Sequence, residues 1–594
     1  MADIITIVII LIIAYLWAAR GFFSAFLHLV CCLIAAAVAF ALWEPCTYFI
    51  MGLVDPKETP VIDLAWTLGL LVPFGLTIAV LRPIVDSIIR ANLDFDTVTN
   101  MVGGGLCGVV TGFITCGVLV LALGYLPTKS SIVGLPYQPM EFEGNGSIVR
   151  QSNLVTRADT ITANFFTMLA DSTFFPDSGE TLSKWRPNLA DEGPILRLTF
   201  PPPEGGSRHV VGLNTDKVST GKNFTVLSRY RVKDKNVLAD TFHPERKQSY
   251  TYTAPDVQGA PATLEGVVVQ FDSLAKEKSG RIVVGAPQVR LIARNESEGR
   301  SIGIQPAAVI SPADGTSGRL GRWRFDAPQT FISSVGGGDE APMAFEFPVP
   351  AGYTPLAIVV KGMRAALPPA NEVTEFAGVA ARDAAVTSRS IASRKLVLDT
   401  ASTPTIKWNP TQDNPYLRFS NGLPFGMMLQ KDDLRGLEIN DAGKIVGGTG
   451  KFQAQDLQNR GIDRQLQVRN FDDGEDTAIM MVDMDSRNPE FGLMSTRVQS
   501  VENRDQPPVF VDEGGQVYTP IGYVFEGSNE VWFQFTPQTP IRSLTEDPMV
   551  RISPSTPANK ITLIYRISRG AKLKHFAIGE KAVVTFKPTI DAPR

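Results

Sequence analysis

Cysteine and histidine are scarce in this chain, and their positions exclude several kinds of site. All five cysteines lie before residue 126, at positions 31, 32, 46, 107 and 116. The rest of the chain therefore has no disulfide, no cysteine nucleophile and no thiolate metal site. The four histidines, at positions 28, 209, 243 and 575, show no metal-ligand spacing. We accordingly predict no metal site and no cofactor.

Motifs for nucleotide binding and hydrolysis are missing as well. The chain has no Walker loop and no dinucleotide fingerprint. Residues 444–448 (KIVGG) look like the activation site of a trypsin-like protease, but only His575 follows them and no Gly-Asp-Ser-Gly turn exists. We interpret this stretch as a β-strand with a turn. The sequence thus predicts no catalytic residues, and we expect the protein not to be an enzyme.

Charged side chains are nearly absent from four apolar runs, 4–19, 22–43, 64–81 and 101–126. A helix needs about 20 apolar residues to cross a bilayer, and only a helix satisfies its own backbone groups over that distance in one segment. The sequence therefore predicts a four-helix transmembrane domain over residues 1–126, with a proline-containing loop at 44–63. A cleaved signal peptide is the alternative for the first run, but the start Met-Ala-Asp lacks the basic region that such a signal needs.

The few basic residues of this domain indicate its orientation. Arg20 lies in the first connection and Arg82 and Arg90 in the third, whereas the second has only Lys57 and the N-terminus has none. Because cytoplasmic loops are enriched in lysine and arginine, we expect the first and third connections in the cytoplasm. Everything after residue 126 is then extracytoplasmic.

Glycine is frequent in the fourth run, where Gly104, Gly108 and Gly112 repeat every four residues. A stripe of small residues lets the backbones of two membrane helices approach closely. The contact is either within the four-helix unit or between copies of the chain. We favour the first, because a four-helix unit needs internal packing in any case.

The part of the chain after residue 126 has no excess of basic side chains that would attract nucleic acid. The chain has 56 basic and 60 acidic side chains. Residues 1–126 hold four of the basic and eight of the acidic ones, which leaves 52 of each after residue 126. A nucleic-acid-binding domain would show a basic excess, so we expect no nucleic-acid partner.

The region after residue 194 has a β pattern. Runs such as 263–271, 281–293, 561–567 and 582–586 are rich in β-branched and aromatic residues and are bounded by Gly, Pro and Asp. Residues 127–194 form a transition with a short amphipathic helix within 156–174. Residues 368–402 lack the β pattern and are predicted to be a linker between two β regions, 195–367 and 403–594.

The two β regions share a sequence layout. In each, an acidic residue and a glycine at a turn precede an aromatic-x-aromatic strand that ends near a proline, at 345–348 and 533–537, and an apolar strand follows. We infer two immunoglobulin-like antiparallel β-sandwiches. The acidic cluster 472–476, with Asp483 and Asp485, is either a calcium site or a solvated hairpin turn. We favour the turn, because the spacing does not fit an EF-hand loop.

The membrane part resembles the colicin V production protein (CvpA) family. The matching features are the acidic start at Asp3, the turn Arg20-Gly21-Phe22, and residues 96–100 leading into the stripe Gly104, Gly108 and Gly112. Over residues 1–126 the resemblance implies a multi-pass protein of the bacterial cytoplasmic (inner) membrane, with a role in toxin production or secretion or in envelope maintenance. Some family members carry an extracytoplasmic serine protease after the fourth helix. This chain has no catalytic triad, so that activity is not carried over.

These observations leave three hypotheses. The favoured one is a protein in the lipid bilayer that displays two β-sandwiches as an envelope scaffold or binding platform for a protein partner in the cell envelope. The second is a channel or transporter subunit, although the helices hold few ionisable residues and show no inverted repeat. The third is an enzyme. The absence of nucleophile motifs argues against it.

Overall fold

The computed structural model describes most of the chain, and all structural statements below refer to this part. The described residues are 2–53, 59–89, 93, 95–126, 131–132, 135–136, 140–142, 148–151, 153–171, 181–196, 224–233, 251–252, 260–271, 273–276, 281–312, 320–326, 330–338, 341–387, 398–401, 403–409, 416–458, 463–474, 476–484, 505–537, 539–543, 545, 548, 551 and 559–594.

Four long helices form the N-terminal domain, as predicted: α1 Ala2–Arg20, α2 Phe22–Leu53, α3 Thr59–Ile88 and α4 Thr97–Gly124. Each is long and apolar enough to cross a membrane. The predicted loop 44–63 is wrong at both ends, because α2 continues through Pro45 to Leu53 and α3 begins at Thr59. Prolines are tolerated in membrane helices, where neighbouring groups satisfy the backbone carbonyl that the proline leaves free.

The helix bundle has two chemically different ends. At one end, which we call the arginine end, the guanidinium groups of Arg20 and Arg82 lie 5.1 and 5.5 Å from the ring centre of Trp17. At the other, the tryptophan end, Trp43 Nε1 donates a hydrogen bond of 2.8 Å to the carbonyl of Trp66. The chain leaves α4 at the tryptophan end, so all later residues start from there.

The transition segment contains three short helices, α5 Ala158–Ala170, α6 Leu182–Trp185 and α7 Leu189–Leu196. It also has four short strands, β1 Ser131–Ile132, β2 Leu135–Pro136, β3 Met140–Phe142 and β4 Ile148–Arg150. α5 is the amphipathic helix expected within 156–174. It packs against α4, where Thr162 of α5 contacts Gly117 of α4. The ring centre of Phe166 of α5 lies 5.1 Å from that of Phe40 on α2. The helix therefore lies alongside the membrane helices.

The first β region contains thirteen described strands. They are β5 Phe224–Val232, β6 Thr251–Tyr252, β7 Ala260–Phe271, β8 Val283–Gly285, β9 Val289–Asn295, β10 Arg300–Ile304, β11 Ala308–Pro312, β12 Leu320–Arg324, β13 Phe331–Ser333, β14 Ala341–Pro350, β15 Thr354–Val360, β16 Met363–Ala366 and β17 Thr374–Phe376.

Two sheets of this region pack face to face. The larger has the order β12-β11-β14-β7-β5-β17, with β6 beside β7, and the smaller has the order β10-β9-β15-β16. Alternate side chains such as Phe345 and Phe347 on β14 share one core with Leu291 on β9 and Ile358 on β15. The pairing is antiparallel apart from β17, which pairs parallel with β5. Antiparallel β structure is confirmed here, while its immunoglobulin-like type remains a prediction.

Part of the segment predicted as a linker, 368–402, packs onto this sandwich. It contributes β17 and the helix α8 Val379–Thr387. Val386 joins an apolar cluster with Val268 and Ile310 on the outer face of the larger sheet. The side chain of Arg382 on the same helix is completely buried.

A buried ion cluster explains why Arg382 lies there. The carboxylate of Glu346 on β14 accepts hydrogen bonds from Arg382 at 3.1 Å, from Arg322 on β12 at 2.6 Å and from the Tyr230 hydroxyl at 2.7 Å. Burial disfavours the charged carboxylate, but the two guanidinium groups and the tyrosine outweigh this and lower the pKa of Glu346 to about 2. The cluster joins three strands and α8.

The second β region contains fourteen described strands. They are β18 Thr405–Lys407, β19 Leu417–Phe419, β20 Leu429–Gln430, β21 Leu437–Ile439, β22 Ile445–Gln453, β23 Gln467–Val468, β24 Thr477–Asp483, β25 Pro508–Asp512, β26 Val517–Tyr518, β27 Gly522–Glu526, β28 Glu530–Phe535, β29 Lys560–Ser568, β30 Lys572–Ile578 and β31 Lys581–Asp591. Residues 445–448 open β22, as predicted for the stretch 444–448.

Two sheets again share one core. Their orders are β18-β31-β30-β25-β26 and β19-β24-β29-β27-β28-β22-β21. Phe510 and Phe576 of the smaller sheet pack with Leu563 and Tyr565 of the larger one. The other face of the larger sheet is covered by residues of the 417–471 segment, including Leu429 and Phe471.

The acidic cluster at 472–476 is paired with cations. Asp473 accepts a hydrogen bond of 2.8 Å from Lys444. Asp476 forms an ion pair of 2.7 Å with Arg281 of the first β region and accepts a bond of 3.0 Å from the Gly336 amide. Within the described ranges no group of three His, Cys, Asp or Glu side chains could hold a metal. Residues 475 and 485 lie outside the described residues.

We predict that acid destabilises the protein through Glu346. Its pKa is about 2 in the folded chain and about 4.5 in the absence of partners. The stabilisation of roughly 3.5 kcal/mol, at about 1.4 kcal/mol per pKa unit, is therefore complete above about pH 4.5 and is lost as the pH falls towards 2, with roughly 2 kcal/mol lost by pH 3. Urea unfolding of the detergent-solubilised protein at pH 7 and pH 3 should show this loss.

The comparison that isolates Glu346 uses Glu346→Gln and, as a control, the exposed Glu372→Gln. The first variant should lose stability at pH 7 and show a smaller drop between pH 7 and pH 3. The control should behave as the unaltered protein. An equal drop in all three proteins would contradict the assignment.

Candidate functional site

A cluster of aromatic rings surrounds a buried cation at the tryptophan end of the bundle. The rings of Trp66 and Tyr125 are stacked with centres 5.6 Å apart, and Trp43 packs edge-on against both. The guanidinium of Arg186, which follows α6, lies 4.9 Å from the ring centre of Trp43 and 4.8 Å from that of Trp66. Aromatic faces attract a cation, most strongly where water is excluded. Arg186 is therefore held directly on the membrane helices.

A carboxylate connects this cation to the first β region. Glu192 on α7 accepts a hydrogen bond of 2.6 Å from Arg186 and forms an ion pair with Arg290 on β9. All three side chains are more than nine-tenths buried. Burial disfavours the charged guanidinium of Arg186, but the charge of Glu192 outweighs this and raises its pKa above the ordinary arginine value. The guanidinium of Arg186 therefore remains charged in this buried position.

A second ion pair joins α2 to the β region. Arg364 on β16 donates hydrogen bonds of 3.3 and 3.2 Å to the two carboxylate oxygens of Glu44. The Tyr48 hydroxyl, one turn further along α2, donates a bond of 2.5 Å to the same carboxylate. The guanidinium of Arg364 also lies 4.1 Å from the ring centre of Trp185. Trp185 thus stabilises Arg364 as Trp43 and Trp66 stabilise Arg186.

A cavity of about 660 Å³ lies beside these pairs, between α2, α5, α6 and β16. We call it the junction cavity. Its described lining residues are Ala37, Phe40, Ala41, Glu44, Pro45, Tyr48, Phe166, Leu169, Ala170, Thr181, Leu182, Trp185, Arg186 and Arg364. One part of the wall is apolar and comes from α2 and α5, and the other carries the charged groups.

The apolar core is continuous across the junction. One cluster of buried side chains includes Phe40 of α2, Phe166 of α5 and Leu189 of α7, and continues to Val289 of β9 and Val360 of β15. The membrane helices and the first sandwich therefore share one hydrophobic core. The arrangement can fix the position of the sandwich relative to the helices and can hold a small molecule in the cavity.

The predicted glycine stripe lies at the contact between α1 and α4. A Cβ atom on Gly104 would lie 2.7 Å from the carbonyl oxygen of Trp17, and one on Gly108 would lie 2.7 Å from the Cα of Ala14. One on Gly112 would lie 3.0 Å from the Cα of Ile10. The two backbones are thus in direct contact, and the structure places this contact within the four-helix unit.

Arg20 and Gly21 lie at the arginine end, far from the junction. Gly21 has a φ of 88° between α1 and α2, a conformation that glycine adopts without steric cost. Arg20 lies over Trp17, and the ring of His28 is stacked on the same tryptophan at 4.2 Å. These residues shape the turn at that end and do not contact the junction.

The comparisons support the resemblance of the helical part. Residues 2–162 match the family model described as Colicin V production protein. The match covers α1 to α4 and the beginning of α5 and confirms the resemblance described for residues 1–126. No curated protein matches this chain, and no solved structure matches it.

We predict that Gly108→Leu separates α1 from α4. A leucine side chain would overlap the Ala14 backbone, and such overpacking costs about 1–3 kcal/mol or more. The matched control is Val110→Leu, because Val110 is 46% exposed on the side facing lipid. Accumulation in membranes and survival of the folded protein on heating in detergent should fall for the first variant only. Equal behaviour of the two variants would show that the stripe is not a packing surface.

We also predict that Glu192→Gln destabilises the junction strongly. The change leaves Arg186 and Arg290 buried opposite a neutral amide, and breaking a buried ion pair costs about 3–5 kcal/mol. Glu296→Gln is the control, since the side chain of Glu296 is 70% exposed and its loss should cost less than about 0.5 kcal/mol. Thermal unfolding in detergent measures both, and equal melting temperatures would contradict the role of Glu192.

Proposed function

We propose that this chain is a non-catalytic membrane platform of the bacterial cell envelope. In this proposal the four-helix domain lies in the cytoplasmic membrane and holds two extracytoplasmic β-sandwiches in a fixed position, where they bind a protein partner. Its biological role is CvpA-like, in toxin production or secretion or in envelope maintenance. The observation that carries the proposal is the shared core and the two ion-paired connections between helices and sandwich.

A simple anchor would not need such a junction. Domains joined by a flexible linker move relative to each other by default, unless their interface is large and apolar. Here Arg186 and Glu192 are buried between α2, α3, α7 and β9. A displayed surface with a fixed orientation favours recognition of a partner that is itself held in the membrane or envelope.

Contacts between the two β regions extend this fixed geometry. Besides the ion pair between Arg281 and Asp476, the Ser568 hydroxyl donates a bond of 2.6 Å to the carbonyl of Gly336. The loop 334–338 of the first region is thus bonded to Asp476, which directly precedes β24, and to Ser568 at the end of β29. Both sandwiches then follow the orientation of the membrane helices.

The position of the arginines supports the proposed topology. Arg20 and Arg82 lie together over Trp17 at the end of the bundle opposite the β regions. Arginines at one end of a bundle favour the cytoplasm for that end. The tryptophan end and both β regions are accordingly proposed to face outward.

We expect a reporter fused after Arg594 to be active if it works only outside the cytoplasm. The physical reason is the basic asymmetry of the helix connections. Alkaline phosphatase is suited to this test, and green fluorescent protein, which fluoresces only when it folds in the cytoplasm, is the matched counterpart. Fluorescence of the second fusion with an inactive first fusion would overturn the topology and the platform proposal with it.

Two activity measurements on the full-length chain separate the platform from its rivals. In liposomes it should produce no ion flux above that of empty liposomes, and in detergent it should hydrolyse no member of a peptide and ester panel. Cross-linking in the native membrane should instead yield a defined complex with an envelope protein. Flux would favour a channel, and hydrolysis would favour an enzyme.

A further inference from the structure

We propose that the junction cavity binds an amphiphile with an anionic head group. Its hydrocarbon chain lies between α2 and α5, and its head group lies against Arg364 and Trp185. This site is independent of the platform role and of which side of the membrane the tryptophan end faces. The inference depends on the depth of the cavity, the chemistry of its walls and its size.

The position of α5 places the cavity at the level of the membrane. Gly117, against which α5 packs, precedes the end of α4 by seven residues, which is about 10 Å along a helix at 1.5 Å per residue. On the opposite side of α5, the exposed fractions of Ile161, Phe165 and Met168 are 51%, 37% and 65%. A helix with one face packed on the bundle and an exposed apolar face is typical of one lying in the membrane interface.

The exposed face of α5 continues the lipid-facing surface of the bundle. The amide of Val155, just before α5, donates a hydrogen bond of 2.6 Å to Asp3 at the start of α1. Ala158 of α5 packs with Ile10 of α1, and large apolar side chains of α1 such as Val8 are exposed. Lipid is therefore the medium that covers this surface, and the cavity lies on the other side of α5.

The apolar wall of the cavity fits a hydrocarbon chain. It is formed by Ala37, Phe40 and Ala41 of α2 and by Phe166, Leu169 and Ala170 of α5. A water-soluble ligand would gain nothing from this wall. The side chain of Ala41 is exposed, so the cavity is accessible at that point of α2, which is itself a candidate membrane span.

The polar wall fits an anionic head group. Its charged lining residues are Arg186, Arg364 and Glu44. Together with Glu192 and Arg290, to which Arg186 is coupled, they form a group of three cations and two carboxylates. Within the described part of the chain, the indole N–H of Trp185 is buried and has no hydrogen-bond acceptor. The excess of positive charge at this wall favours a phosphate or carboxylate, because a guanidinium forms strong charge-assisted hydrogen bonds with such oxygens.

The size of the cavity agrees with a ligand of this class. Its volume of about 660 Å³ lies within the roughly 300–1,000 Å³ of typical small-molecule sites. Two sources supply the same chemistry, a two-chain anionic phospholipid and a single-chain fatty acid. The experiment therefore has an arm for each.

The test is photo-cross-linking of the full-length protein in phosphatidylcholine nanodiscs. Three diazirine-bearing probes are compared: phosphatidylglycerol, phosphatidylcholine and palmitate. Ala41→Phe fills the mouth of the cavity, and Arg364→Gln removes a charge from its polar wall. Leu42→Phe is the matched control, because Leu42 is the next residue of α2, is 44% exposed and does not line the cavity. Labelled peptides are identified by mass spectrometry.

The proposal expects saturable labelling of peptides that contain 158–171 or 181–186, by phosphatidylglycerol, palmitate or both, in preference to phosphatidylcholine. Ala41→Phe should abolish this labelling, whereas Leu42→Phe should leave it unchanged. Arg364→Gln should reduce the apparent affinity for the anionic probes by about tenfold, which is the effect of losing one charge-assisted hydrogen bond. Equal labelling by all three probes, or labelling that Ala41→Phe and Leu42→Phe affect alike, would overturn the site.

Discussion

The burial of the Arg186 guanidinium is the interaction on which the connection between membrane helices and β regions depends. A buried cation is expensive unless it is paired and surrounded by favourable groups. Here the faces of Trp43 and Trp66 come from two membrane helices, and the carboxylate of Glu192 comes from α7. The cation is satisfied only when all of these elements are in place, so it couples the helical part to the sandwich.

Local periodicity made the membrane domain predictable from the sequence. Apolar runs of sufficient length determine helices in lipid, and the four-residue spacing of Gly104, Gly108 and Gly112 indicated a helix contact. Both features are encoded within one helix. The extension of α2 through Pro45 was missed because a proline reads as a helix end in water, whereas a membrane helix tolerates it.

The junction and the Glu346 cluster could not be predicted, because their partners are far apart in the chain. Glu44 and Arg364 are separated by 320 residues. No local sequence pattern around either residue predicts that the two form a pair. Arg382 lies in a nine-residue helix within a stretch that reads as a linker. A charged residue in a short, weakly amphipathic helix is normally exposed, and only the tertiary structure shows it buried against Glu346.

The two kinds of contact at the junction have different physical consequences. Apolar contacts between Phe40, Phe166 and Leu189 provide most of the attraction, but they are non-directional and tolerate sliding. The ion pairs have defined geometry, because a guanidinium between two rings that also bonds a carboxylate fits in only one arrangement. We infer that the buried charges select a single orientation of the sandwich from those that the apolar core alone would permit. A fixed orientation is what distinguishes a platform from a tethered domain.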